Sequence, residues 1–389
     1  MDGPATMDAV RTSCPYCGVG CGVLAAPDGA GGVTIEGDSK HPANFGRLCS
    51  KGSALGDTVS LEGRLLHPMI RATKGSYERV SWDSALDAVA EGFLRNARTY
   101  GPDSLAFYLS GQLLTEDYYV ANKLMKGFLG SANVDTNSRL CMASSVAGQK
   151  RAFGGDLVPG AYEDLDKADL IVLVGSNAAW CHPVLFQRML ANRAQRGAKI
   201  VVIDPRKTSS ADEADLFLPI APGMDTVLFA WLLQEIVARG VVDHPFVEKH
   251  TSGFDAAMLT ARGIAPDLDT VSTLCRIKAS LVTSFCDAWI NTQQVITAWS
   301  QGVNQSAQGT DKVDAIIHCH LASGRIGKLG AGPFSLTGQP NAMGGREAGG
   351  LANMLAAHMG FTSAEVDRVK RFWNAPQMAE REGLKAVQM

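Results

Sequence analysis

Cys14, Cys17, Cys21 and Cys49 are spaced C-x2-C-x3-C-x27-C, and Lys51 follows two residues after the last of them. Three thiols within eight residues can wrap one corner of a metal cluster, and a fourth arriving from further along the chain can close it. Soft thiolate ligands in this number suit iron and sulfur. A structural zinc site is the competing reading, yet zinc usually draws paired C-x2-C knuckles, whereas here the second gap is three residues and the fourth cysteine stands alone. Gly18, Gly20 and Gly22 let the backbone curl and turn amides toward sulfur. From Gly22 onward, GVLAAPDGAGGVTIEGD reads as two short strands around a glycine-rich turn, a hairpin that returns Cys49 to the first three cysteines.

A nucleotide-type turn offers a second kind of chemistry. In ADLIVLVGSNAAWCHPVLFQRMLANRAQRGAKIVVIDPRKT, a buried strand, a turn, a helix of about four turns and a second buried strand follow one another. The turn Gly175-Ser176-Asn177 sets backbone amides and a helix N-terminus where a phosphate could sit, and Asp204 and Arg206 close the second strand, where such folds meet a nucleoside. No GxGxxG is present, which disfavours an ordinary NAD site, and a plain structural turn stays open as a reading. Three later loops, SQGVNQSAQGTDK, GRIGKLGAGPFS and LTGQPNAMGGREAGG, concentrate Gly, Gln and Asn. That mixture brings backbone close to a polar ligand and offers donors and acceptors together, although turn chemistry alone gives the same composition.

The elements that must position these groups alternate between helix and strand periodicity. Ser81 is set to cap a helix running to about Arg98, with Ala85, Val89 and Phe93 on its apolar face, and SLAFYLSG reads as a buried strand ending at Gly111 and Gln112. A helix from about Thr115 to Phe128 and the loop NVDTNSR lead to Cys141, at the start of another apolar-patterned stretch. The fold class is therefore α/β. At 389 residues two or three domains are expected, and 46% hydrophobic against 19% charged residues are enough for a sizeable core, which excludes a disordered or fibrous chain. A formal charge of -3 gives no broad footprint for nucleic acid, and no apolar run reaches the length of a membrane span. The segment MDGPATMDAVRTSC has neither an apolar signal core nor a twin arginine, and nine cysteines at irregular spacing fit a reducing compartment, so a cytoplasmic protein is expected. Cys181, Cys275, Cys286 and Cys319 show no ligand spacing and are expected to be packed thiols.

CPYCGVGCG with Cys49 and Lys51, SRLCMASS, GSNAAWCHPVLFQR with IDPRK, GVNQSAQGTDK, and TGQPNAMGGRE occur in the order found in molybdopterin oxidoreductases of the dimethyl sulfoxide reductase superfamily. The chain resembles that family along essentially its whole length, most of all the catalytic subunits of bacterial assimilatory nitrate reductases. The resemblance implies a 4Fe-4S cluster on Cys14, Cys17, Cys21 and Cys49, with Lys51 between cluster and pterin, where a cation aids electron passage. It also implies a molybdenum bis(molybdopterin guanine dinucleotide) cofactor whose metal takes the Cys141 thiolate. Gly175, Ser176, Asn177 and His182 would line one pyrophosphate, with Asp204, Arg206, Gly223 and Asp225 near a guanosine. Gln112, Asn137, Gln301, Gln305, Gln339 and Asn341 would supply further cofactor contacts. Arg346 is the candidate for anion attraction and Met142 for shaping the pocket beside the metal. By residue type alone, Lys51 also reads as a solvated lysine, Cys141 as buried filler, His182 as a structural histidine, Arg346 as a surface ion pair and Met142 as core.

The implied reaction is reduction of nitrate to nitrite by oxygen-atom transfer, with electrons reaching the cluster from ferredoxin, flavodoxin or an NADH-dependent reductase subunit. Formate dehydrogenases resemble the chain in cluster, pterins and fold, but commonly set histidine after the metal-ligating cysteine or selenocysteine, where Met142 stands here. Catalytic subunits of the family continue beyond REGLKAVQM into more of the α/β body and a C-terminal β-barrel domain. The expectation is thus a fragment, a protein completed by a separate C-terminal half, or an electron-transfer module that keeps the cluster without molybdenum. The expected plan is a small cluster domain at 1–62, an α/β domain from 63–130 and 295–389, and a second α/β domain at 131–294 carrying the βαβ unit, with the barrel absent.

Overall fold

The structure, a computed structural model, describes residues 9–72 and 75–389; most of the leader question falls on residues 1–8, outside the described residues. The N-terminal part is an antiparallel sheet of β1 (Val10–Ser13), β2 (Gly22–Pro27) and β3 (Val33–Gly37). The β2–β3 hairpin is the expected one, and its turn is closed by Asp28, whose Oδ1 accepts from the backbone of Ala30 and Gly32 at 2.8 Å each. Strand β1 is additional, because its exposed VRTS sequence has no alternation and becomes a strand only by pairing with β2. Two short pairs follow, β4 (Met69–Arg71) antiparallel to β5 (Tyr77–Arg79), and β6 (Phe107–Leu109) parallel to β7 (Val134–Thr136).

The main sheet contains β8 (Leu170–Val174), β9 (Lys199–Ile203), β10 (Leu216–Leu218), β11 (Val295–Trp299) and β12 (Gly332–Ser335), all parallel, in the spatial order β10-β9-β8-β11-β12. β8 reads LIVLV with no polar alternate, as a strand covered on both faces requires. Leu170, Val172 and Val174 enter one core with the helices Asp225–Ala238 and Gly309–Ala322, while Ile171 and Leu173 enter another with the helix Pro183–Arg196. Full burial of each such side chain is worth about 1.5–3 kcal/mol. The second core also takes Cys14, Val19, Cys21 and Val23, so the cysteine loop packs directly on this face of the sheet.

Because the strands run the same way, the turns after β8, β9, β11 and β12 share one edge. The chain leaves β8 toward β9 on one side while β11 and β12 lie on the other, which opens a crevice between β8 and β11. This sheet joins strands from distant segments of the chain. β11 and β12, from the 295–389 segment, hydrogen-bond into the sheet of β8, and β6 pairs with β7 across residue 130. Strand pairing, which sequence order does not show, groups the segments differently.

Ser81 caps the helix Trp82–Tyr100 by accepting from Ser84 N. Its apolar face is only partly covered: Phe93 and Ala97 pack against a small core of Leu105, Met125 and Val134, while Val89 stays 52% exposed and no residue of the helix is fully buried. The helix Thr115–Lys123 runs on into a π-helical turn, Leu124–Leu129. There the fully buried Lys126 donates from Nζ to the carbonyls of Gly349, Leu351 and Met354 at 2.7, 3.0 and 2.5 Å. Among the described residues, no helix is long and apolar enough to cross a membrane.

Candidate cluster and cofactor site

Cys14, Cys17, Cys21 and Cys49 line one cavity of about 90 Å³ together with Lys51, Trp180 and Cys181. Cys14 N donates to Cys21 O at 2.8 Å and folds the first three cysteines into a loop between β1 and β2. Cys49 arrives just before the one-turn helix Ser50–Ser53. Gly18 has to be glycine for contact, since a Cβ there would lie 2.3 Å from Thr337 O. In its place, Gly18 N donates to Gly338 O at 2.9 Å, and Tyr162 donates to Gly18 O at 3.0 Å. The cysteine loop is thereby fastened to the chain beyond β12.

Burial raises the thiol pKa of Cys14 and of Cys17, with Lys51 pulling Cys17 partly back. Cys21 is pushed up to about 12, by burial first and by the neighbouring sulfurs next. Four thiolates gathered here require positive charge among them. Four cysteines lining one cavity suit a multi-iron cluster held by four thiolates. Cys275, Cys286 and Cys319 are buried as expected, but Cys181 is exposed on the cavity wall and is no packed thiol. It ends the one-turn helix Ala178–Cys181, whose outward face no spacing reveals.

At the crevice, Gly175 has φ +54°, and a Cβ on Gly302 would lie 2.6 Å from Gly175 Cα. This close crossing presses the short helix Gln301–Asn304, which follows β11, against the turn after β8. From that segment Gln301 Nε2 donates to Cys141 Sγ at 2.8 Å, Asn304 Nδ2 to Met142 Sδ at 3.1 Å, and Gln305 Nε2 to Leu140 O at 3.3 Å. Cys141 and Met142 are both buried in the first turns of the helix Ser138–Phe153.

Four buried polar atoms of the nominated residues lack a partner: Ser176 Oγ, His182 Nδ1, Gln301 Oε1 and Gln339 Oε1. His182 Nε2 lies 2.8 Å from Thr337 O and must carry a proton toward that carbonyl. Burial lowers the imidazole pKa and keeps the ring neutral, so Nδ1 is a bare acceptor. Unpaired polar atoms buried around a crevice fit a polar ligand that completes their bonding, as a pterin dinucleotide would. Beside them, Asn137 Oδ1 accepts from Gly111 N at 2.7 Å, a Cβ on Gly111 would lie 2.6 Å from Gln339 Cγ, and Asn341 Nδ2 donates to Leu113 O at 2.8 Å.

The remaining nominated residues have other commitments. Asn177 Oδ1 accepts from Ser210 Oγ at 3.0 Å, and Asp204 Oδ1 accepts from Arg206 N at 2.9 Å. Arg206, Gln112 and Gln305 are exposed. Asp225 forms a buried ion pair with Lys312 at 2.5 Å, which occupies the carboxylate expected near a nucleoside. Arg346 Nε lies 2.6 Å from Asp156, so the pair offers an anion little net charge. Gly223 lines a larger cleft of about 1260 Å³ among helices whose walls contain no cysteine. Gly302, Asn304, Ser210, Thr337 and Tyr162 are among the site residues that sequence reasoning passed over. The first acts by close approach and the others through bonds to distant chain, with only the double-glycine crossing leaving any trace in the sequence.

Residues 64–389 match the family model described as molybdopterin oxidoreductase, and residues 7–61 match the molybdopterin oxidoreductase Fe4S4 domain. The chain belongs to the molybdopterin oxidoreductase family. Its cofactors are a 4Fe-4S cluster and molybdopterin-bound molybdenum. A nitrate reductase of Klebsiella oxytoca is 52% identical over 98% of this chain and 43% of its own length, and one of Shewanella frigidimarina is 50% identical over 98% and 41%. The alpha subunit of an F420-dependent formate dehydrogenase of Methanocaldococcus jannaschii is 32% identical over 90% of this chain and 50% of that protein. The chain thus spans less than half the length of the two nitrate reductases. Acetylene hydratase from Pelobacter acetylenicus shares the fold, with a TM-score of 0.70, 24% identity and coverage of 80% of this chain and 42% of that one.

Proposed function

We propose that this protein reduces nitrate to nitrite at a molybdenum bis(molybdopterin guanine dinucleotide), with electrons passing through the 4Fe-4S cluster. The observation that carries the reading is the buried Cys141 sulfur, held from the segment after β11 at a crevice whose neighbouring acceptors are unpaired, while the cysteine cavity packs on the same sheet. The similarity to nitrate reductases along almost the whole chain supports the choice of substrate. Molybdenum, when bound, supplies two-electron oxygen-atom-transfer chemistry.

The chain's own groups do the rest. Cys14, Cys17, Cys21 and Cys49 would hold the cluster, and Lys51 on the cavity wall sets a cation beside it. Cys141 would hold the metal, while Ser176, His182, Gln301 and Gln339 orient the pterins through hydrogen bonds that the protein itself leaves unmade. Met142 has no titratable atom, and its sulfur is engaged by Asn304. It cannot take the proton that formate oxidation releases, whereas nitrate reduction consumes protons and needs no base at that position. Arg346 would draw an anion only where Asp156 releases it.

A ferredoxin, a flavodoxin or an NADH-dependent reductase subunit would supply the electrons in the cytoplasm, and a separate C-terminal half is a further partner in this reading. The test is nitrate-dependent oxidation of reduced viologen by anaerobically purified protein, with formate assayed alongside. Nitrite formation is expected; formate-dependent viologen reduction without nitrite formation would overturn the assignment.

A further inference from the structure

The sulfur of Cys141 is fixed from outside its own helix, by Gln301 at a sequence separation of 160 residues. Gln301 is itself held firmly. Gly302 N donates to Gly175 O at 2.9 Å, and the Gly175–Gly302 crossing leaves no room for a Cβ on either side. On the other flank, Ser144 Oγ donates to Asn304 O at 2.8 Å, Ser145 Oγ to Asn304 Oδ1 at 2.5 Å, and Trp299 Nε1 to Ser145 Oγ at 2.8 Å. The backbone carrying Gln301 is therefore anchored to the β8 turn and to the Cys141 helix together.

The chemistry of the carboxamide sets its orientation. A thiolate only accepts, so the NH2 group must face the sulfur, and the reverse arrangement would oppose two acceptors. Oε1 then stays buried without a partner, available to a donor on a bound cofactor. An N–H directed at a metal-bound thiolate fixes the orientation of the sulfur and withdraws electron density from it, which raises the reduction potential of the metal.

We propose that Gln301 is a positioning residue whose side-chain amide pins the Cys141 sulfur in its metal-facing orientation and weakens its donation to the metal. The inference rests on the reading of Cys141 as the molybdenum ligand. Gln301→Glu keeps the side-chain length and removes the donor; Gln301→Leu removes all polarity. In the 389-residue chain without cofactor, labelled with iodoacetamide over a series of pH values and read by mass spectrometry, both variants should show a limiting Cys141 labelling rate at high pH several-fold faster than the unsubstituted chain, because the freed sulfur is more accessible. Unchanged rates at the buried Cys275, Cys286 and Cys319 report an intact fold. An unchanged rate at Cys141 would overturn the pinning.

In molybdenum-loaded protein, a redox titration followed by electron paramagnetic resonance should show a lower metal potential in both variants, with Gln301→Glu lower still and iron content unaltered. An unchanged potential would overturn the electronic part. Cys141→Ser separates the two levels of inference. If that variant keeps the molybdenum resonance signal of the unsubstituted protein, the ligand reading falls; if its signal changes while the Gln301 variants behave as unsubstituted protein, the role of Gln301 alone falls.

Discussion

The cysteine loop and Cys141, both proposed to present sulfur to metal, are positioned in opposite ways. In the loop, three of the four cysteines come from eight consecutive residues, and a backbone bond from Cys14 to Cys21 closes them. Around Cys141, the fixing groups are Gln301, Asn304 and Gln305, brought near only because β11 lies beside β8 and because Gly175 and Gly302 allow their turns to touch. The loop is a local device carried on one face of the sheet. The Cys141 site is an assembly of the sheet's edge, so a small displacement between β8 and β11 reaches the thiol directly. Damage to one centre should therefore be separable from damage to the other, in a particular direction.

The largest effect is expected for Cys21→Ser, which removes the proposed cluster ligand whose thiol pKa burial pushes up to about 12. Iron and sulfide analysis should show near-complete loss of the cluster, while far-ultraviolet circular dichroism keeps the signature of the α/β body. Retained iron would break the comparison at its local end. Next comes Gly302→Ala, whose Cβ would meet Gly175 backbone at 2.6 Å. It should cost about 1–3 kcal/mol of stability in urea unfolding and lower molybdenum uptake with iron retained. Equal loss of both metals would show that the two centres are not separable.

Lys126→Met acts outside both centres and sharpens the contrast as a control. It removes a buried donor from three carbonyls and should destabilise by about 1–3 kcal/mol with no change in the ratio of the metals. Burial brings the Lys126 ammonium down from 10.5 to about 7, with the charge of Asp135 opposing. Between those values the unfolded chain holds a proton that the folded chain has released, so the Lys126 contribution to stability rises with pH through that window. The stability difference between the unsubstituted chain and Lys126→Met should grow from pH 7 to about pH 10. The smallest effect is expected for Met142→Leu, a swap of similar volume costing under about 1.5 kcal/mol, with the labelling rate of Cys141 in the cofactor-free chain nearly unchanged.

The same contrast accounts for what the sequence made legible. The four-cysteine spacing, the β2–β3 hairpin, the Ser81 cap and the βαβ unit all rest on interactions between near neighbours, and all are present in the structure. The grouping of β11 with β8 depends on pairing between distant segments, which chain order does not show. Arg346 was legible as a candidate ion pair and Asp225 as a charge, but their partners Asp156 and Lys312 were not, since the fold places them. The apolar face of Trp82–Tyr100 was legible as a pattern, yet a pattern states which side would be buried and not how far it is covered: Phe93 reaches a core while Val89 stays exposed.

The central claim is that one local and one assembled thiol site hold two different metal centres. Metal analysis of anaerobically purified protein, made in cells that synthesise the molybdenum cofactor, tests it most directly when the unsubstituted chain and Cys141→Ser are compared. The account predicts about four irons per chain in both, with molybdenum in the unsubstituted protein and, in Cys141→Ser, less molybdenum with an altered electron paramagnetic resonance signal. Iron without molybdenum in the unsubstituted protein, or an unaltered molybdenum signal in Cys141→Ser, would contradict it.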